Sequence, residues 1–298
     1  MWSSAPQWQN RRMSLSRQQG FVEAPVDVVW ELISDVERHP EWWPRVVEVE
    51  CEGLDEGCTY RQLTQTPVGK DEMHLLIEGR DELRSLRIRC VNTGTFVRFA
   101  ITGAQEGTFV DGEMGMDPLN LKYRVFDTVI GRRYFASWLQ ATLVALGEAG
   151  ARTASDDANV EIVRRGFTAL QAGRFDEIFA TLADDVRWEG IPGVAPCESR
   201  ADVEHTIRAN YDAGAFTEAF EFAVAGGRVL VGMRMRGEVL EGPNAGRDEN
   251  WIVFTLRDGK VIHMQDFVGR DEALRAVGDR GLEPRTSSLS DTRSNQLS

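Results

Sequence analysis

The sequence predicts an α+β protein made of two consecutive domains. In the first, strand patterns alternate between residues 59 and 117 and lead into an uninterrupted helical stretch at 127–150. In the second, helical patterns come first and four strand patterns follow. A segment rich in Ala, Ser, Asp and Gly at 148–159 lies between the two. These observations predict a sheet wrapped on a long C-terminal helix, followed by a cone-shaped α+β barrel.

Breaks in the pattern set the expected domain boundaries. The last segment, "EPRTSSLSDTRSNQLS", lacks apolar periodicity, which favours disorder. One of residues 155–157 is expected to be the N-cap of the first helix of the second domain. We therefore predict a disordered or extended N-terminus at 1–17, a first domain at 18–150, a linker at 151–156, a second domain at 157–278 and a disordered tail at 279–298.

Charge and hydropathy exclude several classes of partner. The formal net charge is -13, which argues against nucleic acid, whose phosphates need a basic surface, and against docking on anionic lipid. No window approaches the roughly 18 apolar residues of a membrane span, and no apolar run marks a secretory signal. The sequence predicts a cytoplasmic protein without nucleic-acid or membrane partners.

Cysteine usage agrees with a reducing compartment. Four cysteines are too few and too scattered for a disulfide scaffold or a zinc knuckle, and no phosphate-cradling glycine loop or metal motif stands out. We therefore expect reduced thiols, no structural metal and no cofactor. The four are Cys51, Cys58, Cys90 and Cys197.

Each element of the first domain has its own signal. A helix follows Pro25, with Val26, Val29, Trp30 and Ile33 at helical spacing. A proline-bounded turn, "HPEWWP", then precedes a strand. In the closing helix, the face expected to meet the sheet is an apolar stripe of Ile130, Tyr134, Trp138, Leu139, Leu143 and Leu146.

This order of elements is that of the helix-grip fold. The stretch "FVEAPVDVVWELISDVERHPEWWPRVVEVE" resembles the opening of the SRPBCC superfamily, which includes polyketide cyclase/aromatase-like and START-like proteins. The resemblance implies a hydrophobic cavity between the sheet and the last helix. Because Trp42 and Trp43 are neighbours, we expect only one of them to point inward. The residues predicted to line this cavity are Trp42, Trp43, Tyr60, Met73, Phe99 and Trp138.

The second domain contains two motifs that carry a resemblance of their own. "ALQAGRFDEIFATLADDVRWEG" and "FTLRDGKVIHMQDF" are similar to SnoaL-like proteins of the nuclear transport factor 2-like group. That resemblance implies a cone-shaped cavity and metal-free acid/base chemistry by an aspartate. It also allows a homodimer formed through the sheet of this domain. Ser199 is the expected N-cap of its third helix.

Asp266 is the candidate catalytic residue. The dipeptide Asp258-Gly259 predicts a hairpin, and strand alternation then places Asp266 on the same face as Met264. A carboxyl group on an apolar wall would have a raised pKa and could act as a general acid or base. The alternative is a solvent-facing aspartate at a strand end. His263 falls on the opposite face and is not paired with Asp266.

The rest of the predicted site is apolar. Strand positions in the second domain supply the expected wall, although core packing alone would also account for them. The residues predicted to bind substrate there are Trp188, Met233, Met235, Trp251 and Met264.

A comparison with ketosteroid isomerase-like enzymes separates the possible chemistries. The positions of their tyrosine, base and second acid are occupied here by Gly166, Gly190 and Ile252, so isomerisation by that mechanism is not expected. Two hypotheses remain for a small hydrophobic or aromatic ligand. The first is a polyketide cyclase-like lyase or isomerase that uses Asp266, and the second is a non-catalytic carrier of a hydrophobic metabolite. A third hypothesis, which needs no ligand, is that one domain serves mainly as a platform for dimer formation.

Overall fold

The fold was analysed in a computed structural model. The chain divides into two compact units, Met1–Ala154 and Ser155–Ser298, called unit 1 and unit 2 below. The structure describes residues 14–66, 69–191, 193, 195–214, 216–236, 249–278 and 285–288.

Unit 1 contains an antiparallel sheet of seven strands. Neighbouring strands follow the order β1-β7-β6-β5-β4-β3-β2, so the first strand closes onto the last one of the meander. The strands are β1 (Leu15–Val22), β2 (Val46–Cys51), β3 (Thr59–Thr66), β4 (Gly69–Asp81), β5 (Ser85–Cys90), β6 (Thr95–Ala104) and β7 (Gly107–Met116).

Helices cover one face of this sheet. Ile33 of the first helix and Phe135, Leu139 and Leu146 of the long helix have no exposed surface, and all four belong to one apolar core with the strands. The helix-grip prediction is confirmed. The helical segments are α1 (Val26–Ser34), a 3₁₀ turn (Val36–Arg38), α2 (His39–Trp42), α3 (Leu121–Phe126), a π-helical turn (Asp127–Gly131) and α4 (Arg132–Gln171).

The predicted linker at 151–156 is helical. Helix α4 is continuous over 40 residues and carries residues 155–157 in its interior, so none of them is an N-cap. The sequence predicted that the helix ends at Gly150, but α4 continues through this residue. A Cβ at Gly150 would overlap Val22 Cγ1, so the glycine lets α4 approach β1.

The apolar stripe also begins later than the sequence predicted. Ile130 is 52% exposed, whereas Phe135 is fully buried. The π-helical turn is wider than an α-helical one and rotates the residues before it relative to those after it. Ile130 therefore leaves the face that the rest of the stripe occupies.

Unit 2 is a six-stranded sheet with helices on both faces. Its strand order is β13-β9-β10-β11-β12-β8, antiparallel except for the parallel pair β12 and β8. The remaining elements are α5 (Phe175–Ala180), α6 (Arg200–Asp212), α7 (Arg270–Gly278), β8 (Leu182–Glu189), β9 (Phe216–Ala225), β10 (Arg228–Arg236), β11 (Glu249–Arg257), β12 (Lys260–Phe267) and β13 (Arg285–Ser288).

Two local signals in unit 2 are present as predicted. Asp258 and Gly259 both have positive φ, 53° and 72°, as a two-residue hairpin turn requires. Ser199 caps α6 in a reciprocal capping box with Asp202.

The chain ends differ from expectation where the structure describes them. Strand β1 begins at Leu15, three residues before the expected domain start. In the tail predicted to be disordered, residues 285–288 form β13 against β9, and the other residues beyond 278 lie outside the described part. None of the described helices is long and apolar enough to cross a membrane.

Candidate functional site

Unit 2 contains an apolar cavity between its helices and its sheet. Space open to the centre of a water-sized molecule amounts to about 120 Å³, which is several times what one water needs. Helices α4, α5 and α6 form one side and the sheet forms the other. The wall consists of Ile162, Val163, Gly166, Phe167, Leu170, Ile178, Thr181, Leu182, Trp188, Ile207, Asn210, Met233, Asn250, Ile252, Phe254, Val261 and Met264.

The absence of a side chain at Gly166 helps to keep this cavity open. A Cβ built at Gly166 meets no atom of the described residues within 4 Å. The residue lies inside α4, where glycine costs roughly 1 kcal/mol of helix stability relative to alanine. A larger side chain there would fill the cavity while improving the helix.

Replacing Gly166 by Leu is therefore expected to block ligand entry without loss of stability. We expect the affinity for an apolar dye such as anilinonaphthalene sulfonate to fall at least tenfold, while the thermal midpoint stays level or rises. Thr168→Leu is the matched control, since Thr168 is exposed on the same helix and does not line the cavity. Unchanged dye binding in Gly166→Leu would contradict this reading of the cavity.

Asp266 lies on the sheet face that borders this cavity. On β12 it pairs directly with Ile252 of β11, and Met264 pairs with Phe254 in the same way. Residues paired across two strands point to the same side, so Asp266 shares its side with three wall residues. Only 8% of its surface is exposed.

Burial changes the acidity of Asp266. Desolvation raises the pKa of its carboxyl group from 3.8 to about 6, and the side chains of Trp188 and Asn250 partly oppose this by stabilising the carboxylate. Asp266 Oδ1 and Trp188 Nε1 are both buried, and neither atom has a hydrogen-bond partner among the described residues. Trp188 therefore lies near the carboxyl group without forming a hydrogen bond to it.

Asp266 does not itself line the cavity. Two residues close to its carboxyl group, Trp188 and Asn250, do line it. The carboxyl group therefore lies behind the side chains that line the cavity. A carboxyl that titrates near pH 6 at such a place can take or give a proton at neutral pH, if a ligand or a small rearrangement brings the two together.

The remaining residues predicted for this site divide into three groups. Trp188, Met233 and Met264 lie on the wall. The side chain of Met235 lies outside the described residues. Trp251 is a correction, because it points to the opposite face of β11 and packs in the apolar cluster beneath α7, with its ring 5.4 Å from that of Phe220. Strand alternation with Asn250 and Ile252 decides its side.

Sequence reasoning missed several wall residues. Asn250 stands two residues before Ile252, and Asn210 stands three residues after Ile207 on α6. Each asparagine could have been found from the sequence, because each is a polar residue on an otherwise apolar face of its strand or helix. Phe167 and Phe254, whose rings are 5.9 Å apart, were also missed.

Alternation on β12 is interrupted by a bulge. The register shifts between Val261 and His263 against both neighbouring strands, so Val261 and Met264 both reach the cavity. His263 instead meets Glu189, with Nε2 and Oε1 3.3 Å apart. His263 therefore lies apart from Asp266, as the sequence predicted.

The cavity between the sheet of unit 1 and Trp138 of α4 is much smaller than the cavity of unit 2. Its open space of about 30 Å³ admits little more than a water molecule. Of the residues predicted to line it, Trp43, Met73 and Trp138 do so. The wall consists of Trp43, Gln62, Met73, Leu75, Ile88, Thr95, Phe96, Val97, Met114 and Trp138.

The other three predicted residues of unit 1 do not line this cavity. Trp42 donates its indole N–H to Leu32 O at 3.0 Å and stacks on Trp43, so both tryptophans are buried rather than one. Phe99 packs behind Trp43 with ring centroids 5.6 Å apart. Tyr60 is buried two residues before Gln62 on β3, and burial raises the pKa of its hydroxyl group.

The described residues contain no cluster of three or more His, Cys, Asp or Glu side chains that could hold a metal ion. The polar groups at the two cavities are mainly amides and indoles.

Comparison with known families agrees with the two-part architecture. Residues 15–150 match the family model described as polyketide cyclase / dehydrase and lipid transport, and residues 163–264 match the SnoaL-like domain. The N-terminal half resembles the SRPBCC superfamily and the C-terminal half resembles SnoaL-like proteins. The matches support a ligand-binding protein of the cyclase type.

Solved structures show similarity over part of the chain. A START superfamily protein from Mycobacterium smegmatis is 15% identical, with 45% of this chain and 92% of that one covered and a TM-score of 0.37. The Zhui aromatase/cyclase from Streptomyces sp. R1128 is 17% identical, with 48% and 96% covered and a TM-score of 0.36. A polyketide cyclase-like protein from Sinorhizobium meliloti is 23% identical, with 36% and 94% covered and a TM-score of 0.31. No curated protein matches the sequence significantly.

Proposed function

We propose that this protein binds a small hydrophobic or aromatic molecule in unit 2 and processes it by metal-free acid/base chemistry, in a cyclase, lyase or isomerase reaction. Asp266 is the proton-transferring group in this proposal. One observation carries it, a carboxyl group with a pKa near 6 buried against the wall of an apolar cavity. Such a group is costly to bury unless it is used or paired.

The surroundings of Asp266 suit proton transfer next to a carbonyl group. Trp188 Nε1 is a buried donor without a hydrogen-bond partner among the described residues, and Asn250 adds an amide at the same wall. Donors of this kind could stabilise negative charge on a ligand oxygen while the carboxylate removes a proton. The methionine and aromatic side chains of the wall suit a flat apolar ligand.

A carrier without catalytic activity is the second candidate. It is favoured by the position of Asp266 behind the wall, and by the absence of any Asp, Glu, His or Lys among the described residues that line the cavity. In that case the cavity would hold a ligand by apolar contact alone.

A proton-exchange experiment distinguishes the two. The probe is 2-tetralone, an aromatic ketone, and the signal is deuterium uptake next to its carbonyl group in D₂O, followed by NMR. A positioned general base contributes roughly 10²–10⁴-fold, so we expect exchange well above the background rate. Because the carboxylate is the active form, the rate should rise with pH up to about 6 and then level off.

Variants assign the effect to one residue. Asp266→Asn should return the exchange rate to background while dye binding persists. Asp258→Asn is the matched control, since Asp258 lies at the exposed turn of the same hairpin. Tight dye binding with no exchange in the wild type would favour the carrier. Exchange that survives in Asp266→Asn would refute the assigned role.

We extend the proposal of ligand binding to unit 1 with one condition. Trp43 Nε1 and Gln62 Oε1 are buried without hydrogen-bond partners among the described residues, and both residues line its cavity. They supply one donor and one acceptor for a polar group of a ligand. Since the present space is about 30 Å³, ligand binding there would require the cavity to widen.

A further inference from the structure

The segment that joins β7 to α4 exposes an apolar surface. Large apolar side chains point away from unit 1 just before α3, along α3 and along the π-helical turn, and more than half of each side chain is exposed. The set consists of Leu119 (58%), Leu121 (75%), Val125 (57%), Val129 (73%) and Ile130 (52%) and is called the outer face below.

The opposite side of the same helix is already packed. Tyr123 and Phe126 contact the core of unit 1, and Asp127 and Gly131 are buried. The helix is therefore apolar on both sides. A helix with that pattern is normally buried all round, so the outer face lacks the cover that its composition calls for.

Basic side chains surround the outer face. Lys122, Arg124, Arg132 and Arg133 are exposed, and none forms an ion pair with another described residue. Between Asp117 and Glu148 the only acidic residue is Asp127, which is buried and accepts a hydrogen bond from the Ser14 amide. Four basic residues against one acid give this stretch a positive charge within a chain of net charge -13.

We propose that the outer face and its basic rim dock on an anionic lipid surface. An amphipathic helix with apolar residues flanked by Lys and Arg binds the boundary of such a surface by apolar burial and charge attraction together. The net charge of the whole chain, taken alone, predicts the opposite, namely that the protein does not dock on anionic lipid. Charge elsewhere on the protein is screened over roughly 8 Å at physiological ionic strength, so the local sign decides at contact.

The shape of the outer face favours lipid over a protein partner. It is the convex side of a single helix, and the cavities of the described part of unit 1 are not lined by its residues. A protein partner would need a groove shaped to receive it, whereas a lipid surface adapts to a convex helix.

Vesicle co-sedimentation of the full chain tests the proposal. Vesicles of phosphatidylcholine with roughly a third phosphatidylglycerol should bind the protein, and neutral vesicles should bind it far less. Raising the salt to about 0.5 M should weaken binding. Lys122→Gln with Arg124→Gln should weaken it about twenty-five-fold, since each basic residue near the surface contributes a factor of roughly five.

Apolar variants test the other half of the surface. Val125→Glu with Val129→Glu should abolish binding, and Val144→Glu, which alters an exposed valine of α4 outside the outer face, should leave it unchanged. Circular dichroism checks that each variant is folded. The proposal is overturned if anionic vesicles do not bind the wild type, or if the two glutamates leave binding intact. It is likewise overturned if the outer face proves to join two copies, seen as a dimer that the glutamates dissociate without any vesicle binding.

Discussion

Replacing Asp266 by Asn is expected to stabilise the protein at pH 7 while removing its proposed activity. The folded pKa of about 6 lies above the ordinary value of 3.8, so the folded state holds the proton more tightly than the unfolded chain does. The free energy of unfolding therefore decreases as pH rises from about 4 to 6, and it remains at the lower value above pH 6. Asparagine does not ionise, and a shift of this size corresponds to about 2 to 3 kcal/mol.

Urea denaturation at several pH values checks this expectation. At pH 7 the free energy of unfolding should be higher for Asp266→Asn than for the wild type, and near pH 4 the difference should disappear. Asp258→Asn serves again as the control, because Asp258 is exposed at the turn. Equal stabilities at pH 7 would mean that the carboxyl group is well solvated or already paired.

The gain in stability has a functional meaning. A stabilising substitution that also costs activity is the pattern expected where function needs a destabilising group. Combined with loss of proton exchange in the same variant, a stabilising Asp266→Asn would mark Asp266 as a functional rather than a structural residue.

Acidification is expected to destabilise unit 1 through His39. This side chain is fully buried, and burial lowers its pKa from 6.5 to about 4, although the ring nitrogen Nε2 lies 3.1 Å from Ile33 O. The unfolded chain takes up a proton near pH 6.5 and the folded one does not. Stability present above pH 6.5 is thus lost as pH falls toward 4, by about 3 kcal/mol.

The measurement is the free energy of unfolding from pH 7 to pH 4, in the wild type and in His39→Gln. The amide of glutamine can keep a donor near Ile33 O but cannot titrate, so the pH dependence should flatten although packing is weakened. His74→Gln is the matched control, since the His74 side chain is 53% exposed in the same unit. A titration of the His39 ring by NMR with a midpoint near 6.5 would contradict the expectation.

His39 and Asp266 act in opposite directions over the same pH range. Between about pH 4 and 6, unit 1 gains stability with rising pH and unit 2 loses it. A single unfolding transition would hide part of both effects, so the variants are more informative than the pH profile of the wild type alone.

Much of the fold was predictable from local sequence. The Asp258-Gly259 turn needs two positive φ angles, and the Ser199 cap needs a side-chain oxygen before a helix, so residue type alone specifies both. The face of Asp266 could also be predicted, because the bulge in β12 lies before His263 and alternation is regular after it.

Other features could not be predicted because they depend on distant parts of the chain. Gly150 looks like a helix end unless Val22 is known to pack against it. Trp251 looks like a cavity residue until α7 is seen to cover the other face of the sheet. The π-helical turn exposes Ile130, although Ile130 fits the apolar stripe of the helix by its spacing in the sequence.

The amino-acid sequence by itself determined the order of elements, the two architectures and the side of the sheet on which Asp266 lies, because periodicity and turn chemistry act over a few residues. Only the tertiary structure decided how much space each cavity holds, which neighbours meet the carboxyl group of Asp266, and which apolar surface stays uncovered. These depend on side-chain volumes and burial summed over segments far apart in the chain, and no local pattern encodes that sum.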